Sequence, residues 1–502
     1  MTDTNLSILD LNIKERDPDG IAPFYQDLNL TQVIDKLSKR WGKKVKDYYR
    51  YLPETKEEVD YRRAVFSDIK KDAVYDALIK YTERLVRVDE LRQEKEKVSN
   101  PMQRAVWQMR EVGEYCSVYE ELEKDLSASE LSSDGMKSFL LTLREILKSG
   151  GYSDIKDEAA KLTEEIKALR FIITYEKDRI SVSLGEVEGD GAYAAMIKSG
   201  SGKETKRLQN PFRVDPRVSE LEAACLEILS HKKPDFFKEL KRSAEKCKDY
   251  ERPVLKRFES EVLFYLSFAT LEREMESSGF SFASPKTDDT KPMKATGLYD
   301  LALALAFIPS GKKVIPNDFY YEENDAFFVL TGPNQGGKTT FARSLGQLVY
   351  FSRIGLDVPA VSANVPFYQN IQTHFSVEES VETGRGKLME ELVRLAPMME
   401  DRKKDTFVII NELFTTAASF DAVIMGKKVL EHFIALGCKG IYVTHLKELA
   451  DGIDGVVSMR AMLNEERVQT FEIRRGAAED TPCAENQVNK YKLTYEQLKE
   501  RL

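Results

Sequence analysis

The chain is poor in the features that mark secreted and membrane proteins. Five of its 502 residues are cysteine (Cys116, Cys225, Cys247, Cys438 and Cys483); they are widely scattered and no CxxC pair occurs. A disulfide framework or zinc site is therefore not expected, and a reducing compartment fits. Long apolar runs are missing as well. The stretch from Leu298 to Pro309 is interrupted by Asp300 and falls well short of the roughly 20 residues a membrane span needs. The opening MTDTNLSILDLNIKERDPDG carries acids and no apolar run, so it does not read as a signal peptide. Nor is there an excess of positive charge: 75 Lys and Arg face 84 Asp and Glu, for a net charge of -9. That balance argues against a chain that coats nucleic acid everywhere, while leaving room for a local basic patch. No repeat with a period of about 20–50 residues is evident. A soluble, cytoplasmic protein with no membrane partner is expected.

What is present is ordinary globular composition, 42% apolar and 32% charged, in a chain long enough for about two to four domains. Residues 1–29, rich in Asp, Asn and Pro, read as a loosely ordered lead-in. From Asn29 to about Lys148 apolar residues recur every three or four positions, punctuated at Pro53 and Asn100-Pro101, which predicts helices. One more helix is expected after a break at Gly150-Gly151. The period then changes: RFIITYEKDRISVSLG (170–185) reads as two strands around a polar turn, followed by a turn-rich, basic tract to Arg217. Helical periodicity resumes from Val218 to Ser277, and SPKTDDTKPMK (284–294) reads as a linker. Beyond it, the short apolar strands AFFVLTG (326–332), TFVIINE (406–412) and GIYVTH (440–445) alternate with helical patterns, the grammar of a parallel α/β sheet. The expected division is a lead-in (1–29), a mainly helical domain (30–290) with a β-containing insert at about 168–217, and an α/β nucleotide domain (291–502).

The chemistry concentrates in that last part. Gly332-Pro333-Asn334-Gln335-Gly336-Gly337-Lys338-Thr339 satisfies GxxxxGK[ST], follows an apolar strand and opens the helical stretch KTTFARSLGQLVYF, the context a phosphate loop requires. Glycines let backbone N–H groups close around phosphates, and the helix N-terminus adds a favourable dipole. Lys338 is placed to reach the β- and γ-phosphates, the Thr339 hydroxyl to ligate Mg2+, and Thr340 to line the ATP site. TFVIINELF supplies a second strand ending in Asn411-Glu412. Glu412 is the candidate for polarising the hydrolytic water and, with Thr339 and Asn411, for the metal site. Asn411 stands where an aspartate is usual, so an uncharged amide oxygen would face the metal and hold it more weakly. His445, after GIYVTH, is positioned to reach a γ-phosphate.

These residues go further than a generic loop. TGPNQGGKTTFARSLGQLVYFSRIGLDVPA strongly resembles the ATPase domain of the MutS family of mismatch-repair proteins, whose loop reads TGPN-x-GGKST. VIPNDF (314–319) is similar to the family's FIAND-type lead-in and IQTHFSVEESVETGRGKLMEEL (371–392) to its ATP-signature region; INELFTTAASFDA (410–422) is similar to DEIGRGTSTYDG, and VTHLKELAD (443–451) to ATH-x-x-EL. The resemblance is specific over residues 312–455 and looser upstream, at 30–69 and 264–286. It implies an ABC-type ATPase domain preceded by helical core and lever elements with a clamp-like insert. In that insert Lys198, Lys203, Lys206, Arg207, Arg213 and Arg217 are candidates for DNA-backbone contacts. It also implies ATP and Mg2+ as cofactors and a homodimer paired through the ATPase domains.

Departures from the family pattern matter as much. The core-like region begins near residue 30, which leaves no room for a mismatch-reading domain or a connector, and the chain stops at Leu502 without a Smr nuclease tail. Asp318-Phe319-Tyr320-Tyr321-Glu322 resembles the mismatch wedge only superficially and belongs to the nucleotide domain. In the signature region the family's Ser-Thr becomes Gly386-Lys387. The family's serine meets the γ-phosphate held by the partner subunit, so the trans contact would fall to Lys387, with Asp421 also at the interface. The expected function is an ATP-dependent, MutS-type DNA clamp acting on branched or structured DNA rather than mispairs. The alternative is a slow or inactive nucleotide switch acting through protein, ribosome or RNA partners.

Overall fold

A computed structural model describes residues 6–11, 22–168, 171–176, 179–184, 219–375, 386–401, 405–477 and 499. They fall into two compact units, one of residues 1–6 and 68–259, the other of residues 7–67 and 260–502. Among the described residues no helix is long and apolar enough to cross a membrane.

The first unit is helical. Its two longest helices, Asp72–Lys97 and Pro101–Ser127, are separated by a three-residue break. Asn100 ends that break as an N-cap, its side chain accepting from Met102 N at 2.8 Å, with Pro101 at the first helical position. Ion pairs then join the helices: Arg84 to Glu114 at 2.7 Å, and Arg92 and Lys95 to the buried Glu111 at 3.1 and 2.5 Å. A buried relay runs from the Tyr81 hydroxyl to that of Tyr119 (3.0 Å) and on to Glu259 (2.6 Å). The helix expected after Gly150-Gly151 instead begins at Gly150 and runs to Ala168. The break lies one residue earlier, where Ser149 is extended and caps the helix Asp134–Lys148. The segment read as paired strands forms an antiparallel hairpin of β1 (Phe171–Glu176) and β2 (Arg179–Leu184), with Phe171 opposite Leu184 and Glu176 opposite Arg179. The basic tract Lys198, Lys203, Lys206, Arg207, Arg213 and Arg217 lies outside the described residues.

The second unit is mixed α/β. A small sheet of β3 (Lys294–Leu298), β4 (Asn317–Tyr320) and β6 (Ser362–Asn364) is antiparallel in the order β4-β3-β6. The main sheet contains β5 (Phe327–Thr331), β7 (Asn370–Phe375), β8 (Thr406–Asn411), β9 (Lys439–Val443), β10 (Val456–Leu463) and β11 (Gln469–Arg475), in the order β11-β10-β5-β9-β8-β7. It is parallel from β7 to β10, as the alternating pattern predicts, but β11 turns back antiparallel on β10. Every residue of β5 and β8 is buried, as expected for strands covered on both faces. The helix Lys338–Arg353 is buried around most of its circumference, which marks it as a core helix.

The stretch read as a linker is tied down. Lys286 N donates to Ala363 O at 3.0 Å, and the Asp289 side chain accepts from Phe367 N at 2.9 Å. Residues near the N-terminus also build this unit. Glu261 accepts from the Ser7 hydroxyl and Ile8 N at 2.7 and 2.8 Å, and the fully buried Arg62 donates to Leu9 O at 2.9 Å. The short helix Phe24–Asp27 ends at Asp27, whose carboxylate accepts from the Thr373 hydroxyl at 2.7 Å and pairs with Arg394 at 3.4 Å.

Candidate functional site

Strand register determines what meets at the site. Phe375, Asn411, Val443, Leu330 and Met459 form one row across β7, β8, β9, β5 and β10. The residues just beyond this row, Gly332, Glu412 and His445, therefore emerge at the same carboxyl edge of the sheet, the edge at which open α/β sheets bind ligands.

The loop after β5 needs its glycines. Gly332 has φ +135° and a Cβ there would lie 2.9 Å from the Ala461 Cβ; Gly337, with φ +86°, caps the helix Lys338–Arg353 in the left-handed region. Both conformations favour a residue without a side chain. Gln335 also has positive φ, at 61°. Lys338, 5% exposed, folds over the loop and donates to Gly332 O (2.9 Å) and Pro333 O (3.0 Å). Its ammonium is thus held against two carbonyls of the loop, at the positive end of a sixteen-residue helix.

Two further pairs complete the edge. The Thr339 hydroxyl donates to Asn411 Oδ1 at 3.0 Å, so the loop and the end of β8 present two oxygen atoms side by side. His445 Nε2 lies 3.0 Å from Glu412 Oε1. That hydrogen bond, with the charges of Lys338 and Lys387, holds the Glu412 carboxyl below its ordinary range although partial burial opposes the shift. Glu412 remains ionised, which suits it to orient a water more than to take its proton outright. Glu412 has φ +57° and Phe414 φ +62°, sparsely populated for residues with side chains and a recurrent property of functional turns.

A cavity of about 360 Å³ opens beside the loop, lined by Asn334 to Phe341, Glu412, Ile315, Phe307 and Phe471. Phe471 has φ +61° and its ring lies 3.4 Å from where a Cβ on Gly337 would stand. Asn317 ties this strand down, donating to Phe471 O (3.1 Å) and accepting from Ile473 N (2.7 Å). Neither residue was identified from sequence. Phe471 lies 132 positions beyond Thr339 and carries no motif, and only the return of β11 brings it to the loop.

The sequence-selected residues Gly332 to Thr340, Asn411, Glu412 and His445 are thus gathered at one edge. Gly386 caps the helix Lys387–Glu400 through its backbone, accepting from Met389 N at 2.9 Å. Lys387 is close enough for its charge to act on Glu412, whereas Asp421 stands exposed in the first turn of Ser419–Ala435. A third residue missed from sequence is Glu391, 2% exposed, whose Oε2 accepts from Phe414 N at 3.0 Å. Among the described residues no group of three or more His, Cys, Asp or Glu converges on a metal site.

The family model described as MutS domain V matches residues 328–481, the stretch that holds the loop, β8, β9 and the His445 turn. The DNA mismatch repair protein MutS of Fervidobacterium nodosum is 24% identical over 363 residues, covering 70% of this chain and 41% of that protein. Residues 328–481 thus match a domain of the MutS family. The similarity to MutS proteins is distributed unevenly. The MutS of Thermosipho melanesiensis is 26% identical over 155 residues (30% of this chain, 19% of that protein), and that of Dinoroseobacter shibae 28% over 206 residues (39% and 24%). The chain spans less than half the length of these relatives. Domain V is the ATPase domain of MutS proteins, and the mixed α/β unit described above carries the match.

Proposed function

We propose that this chain binds and hydrolyses ATP at the carboxyl edge of the main sheet, and that nucleotide state controls its grip on branched or structured DNA. The observation that carries the reading is the pairing of Thr339 with Asn411 at 3.0 Å and of His445 with Glu412 at 3.0 Å, with Thr339 and Glu412 lining one cavity. The loop amides and Lys338 would bind the phosphates, and Phe471 and Ile315 offer apolar surface on the cavity wall. Thr339 Oγ1 and Asn411 Oδ1 are hard oxygen donors of the kind Mg2+ takes, one or two from protein and the rest from phosphates and water. Magnesium, when bound there, would neutralise charge developing on the phosphate oxygens. Glu412 would orient the attacking water, and His445 keeps the Glu412 carboxylate turned and charged.

Pairing of two copies through this unit has support in its surface. Met389, Leu392 and Val393 on Lys387–Glu400, and Phe420 and Ile424 on Ser419–Ala435, are exposed apolar residues, Phe420 by 75%. Apolar side chains exposed on these two helices are the kind of surface that an interface would cover.

A second reading rests on one observation: the residue beside Thr339 is an uncharged amide. A site that binds ATP and turns it over slowly would act as a switch through protein or RNA partners. Both readings meet the same experiment, in which the chain is titrated against linear, forked and four-way DNA and structured RNA, with and without ATP, across a salt series. The clamp reading predicts ATP-dependent preference for forked or four-way DNA and turnover stimulated by it. Equal binding to every DNA with no response to ATP contradicts it.

A further inference from the structure

The helix Lys387–Glu400 carries more than Lys387 toward the site. Glu391, one turn along, is 2% exposed and directs Oε2 onto Phe414 N at 3.0 Å. Phe414 belongs to the turn that follows β8 and presents Glu412. That turn is held in an unfavourable shape: Glu412 and Phe414 both have left-handed φ, of 57° and 62°. At its start Glu412 N donates to Val443 O at 2.9 Å, which fixes the first residue to β9. Two residues later the Glu391 carboxylate holds the other end. Leu413 and Phe414 are both buried, so loss of that bond would leave the Phe414 N–H unsatisfied.

Stability alone does not account for an acid here. Glu391 Oε1 is buried without a hydrogen-bond partner among the described residues, and an unsatisfied buried carboxylate oxygen is costly. Burial correspondingly raises the Glu391 carboxyl above its ordinary range. An apolar residue of similar size would suit the neighbouring core, with Leu395, Met398 and Leu413, better.

We infer that Glu391 is a positioning residue for hydrolysis: from the helix Lys387–Glu400 it clamps the strained turn that aims Glu412 at the attacking water. The inference rests on the reading of Glu412 given above. It also gives that helix a physical link to the hydrolytic acid, so displacement of the helix by a second copy would be transmitted to Glu412 through one hydrogen bond.

The test measures ATP affinity and single-turnover hydrolysis for the full chain and for Glu391→Ala, Glu391→Asp and Glu391→Gln, with melting temperature recorded for each. Glu391→Ala is expected to slow the hydrolysis step by about tenfold or more, as small misplacements of catalytic groups do, while ATP affinity changes by less than about twofold. Glu391→Gln, whose amide oxygen accepts the same Phe414 N–H, is expected to recover most of the rate. Should the alanine chain not fold, Glu391→Asp, one methylene too short to reach, carries the comparison with Glu391→Gln. A merely structural role would lower melting temperature without separating rate from affinity, or without rescue by glutamine, and either result overturns the inference. A parent chain that binds ATP but never hydrolyses it overturns the assignment of Glu412 itself; a parent that hydrolyses ATP at a rate no Glu391 substitution alters overturns this inference alone.

Discussion

Two buried carboxylates, one in each unit, are treated in opposite ways. Asp68, in the helical unit, is saturated: Ser132 N at 2.9 Å, Ser133 N at 2.7 Å, the hydroxyls of Ser132 (2.6 Å) and Ser133 (2.7 Å), and Lys71 at 2.7 Å all point at it. Burial alone would raise its carboxyl, but these donors prevail and hold it well below the ordinary range. Glu391, in the nucleotide unit, receives one backbone bond and leaves an oxygen unpaired among the described residues. The first arrangement is what a carboxylate needs to stabilise a fold, here by holding Ser133, the N-cap of the helix Asp134–Lys148. The second leaves stability unclaimed where a turn must be aimed. The two carboxylates should therefore respond differently to substitution: Asp68 acts on folding, Glu391 on chemistry.

The largest effect expected is at Glu412. Glu412→Gln should lower turnover by about 10²–10⁴-fold while leaving ATP affinity and melting temperature near those of the parent, measured by steady-state phosphate release and labelled-ATP binding. An equal loss of stability would break the comparison from one side. From the other side, Asp68→Ala strands several donors and should destabilise the helical unit by about 3 kcal/mol, read by urea denaturation, with ATP affinity unchanged.

Acid separates the units next. Burial lowers the imidazole of His374, beneath the helix Lys387–Glu400, from 6.5 to about 4. Its neutral form is the one folded, so its contribution is complete above about pH 6.5 and is lost as pH falls toward 4. At about 1.4 kcal/mol for each pH unit this amounts to roughly 3 kcal/mol. Asp68, lowered likewise, contributes fully above about pH 4, the unfolded value, and loses its contribution only below that. The nucleotide unit should therefore loosen before the helical unit between pH 6.5 and 4, visible as earlier hydrogen exchange in β7 than around Ser132. His374→Gln should close that gap. The smallest effect is expected at Asn411. Asn411→Asp restores a charge beside Thr339 and should lower the Mg2+ concentration needed for half-maximal turnover by about tenfold or less.

How far the sequence could be read follows from where each signal was stored. The strands β5, β8 and β9 are unbroken apolar runs and were legible as such. β7 and β10 mix partly and fully buried positions and β11 adds exposed ones, and β3, β4 and β6 are short, with SAN and NDFY carrying little apolar pattern. Those strands exist because partners lie beside them. The same division holds at the site. Lys338, Thr339, Asn411, Glu412 and His445 lie in contiguous motifs attached to legible strands. Phe471 reaches the site through a hairpin return that leaves no local trace, whereas Asn317 and Glu391 lie within the stretches 314–319 and 371–392 that carry the resemblance, where their sequence did not reveal the contacts they make. The helix start at Gly150 was displaced by a similar cause, since two glycines read as a break while the extended Ser149 makes it.

The account depends on the loop Gly332 to Thr339 holding a triphosphate. Equilibrium binding of labelled ATP with Mg2+ to the parent chain and to Lys338→Ala tests that most directly. The parent should bind, and Lys338→Ala should bind at least about tenfold more weakly, because a charge-assisted contact to phosphate is lost. Equal affinity in the two chains, or no binding by the parent, would contradict it.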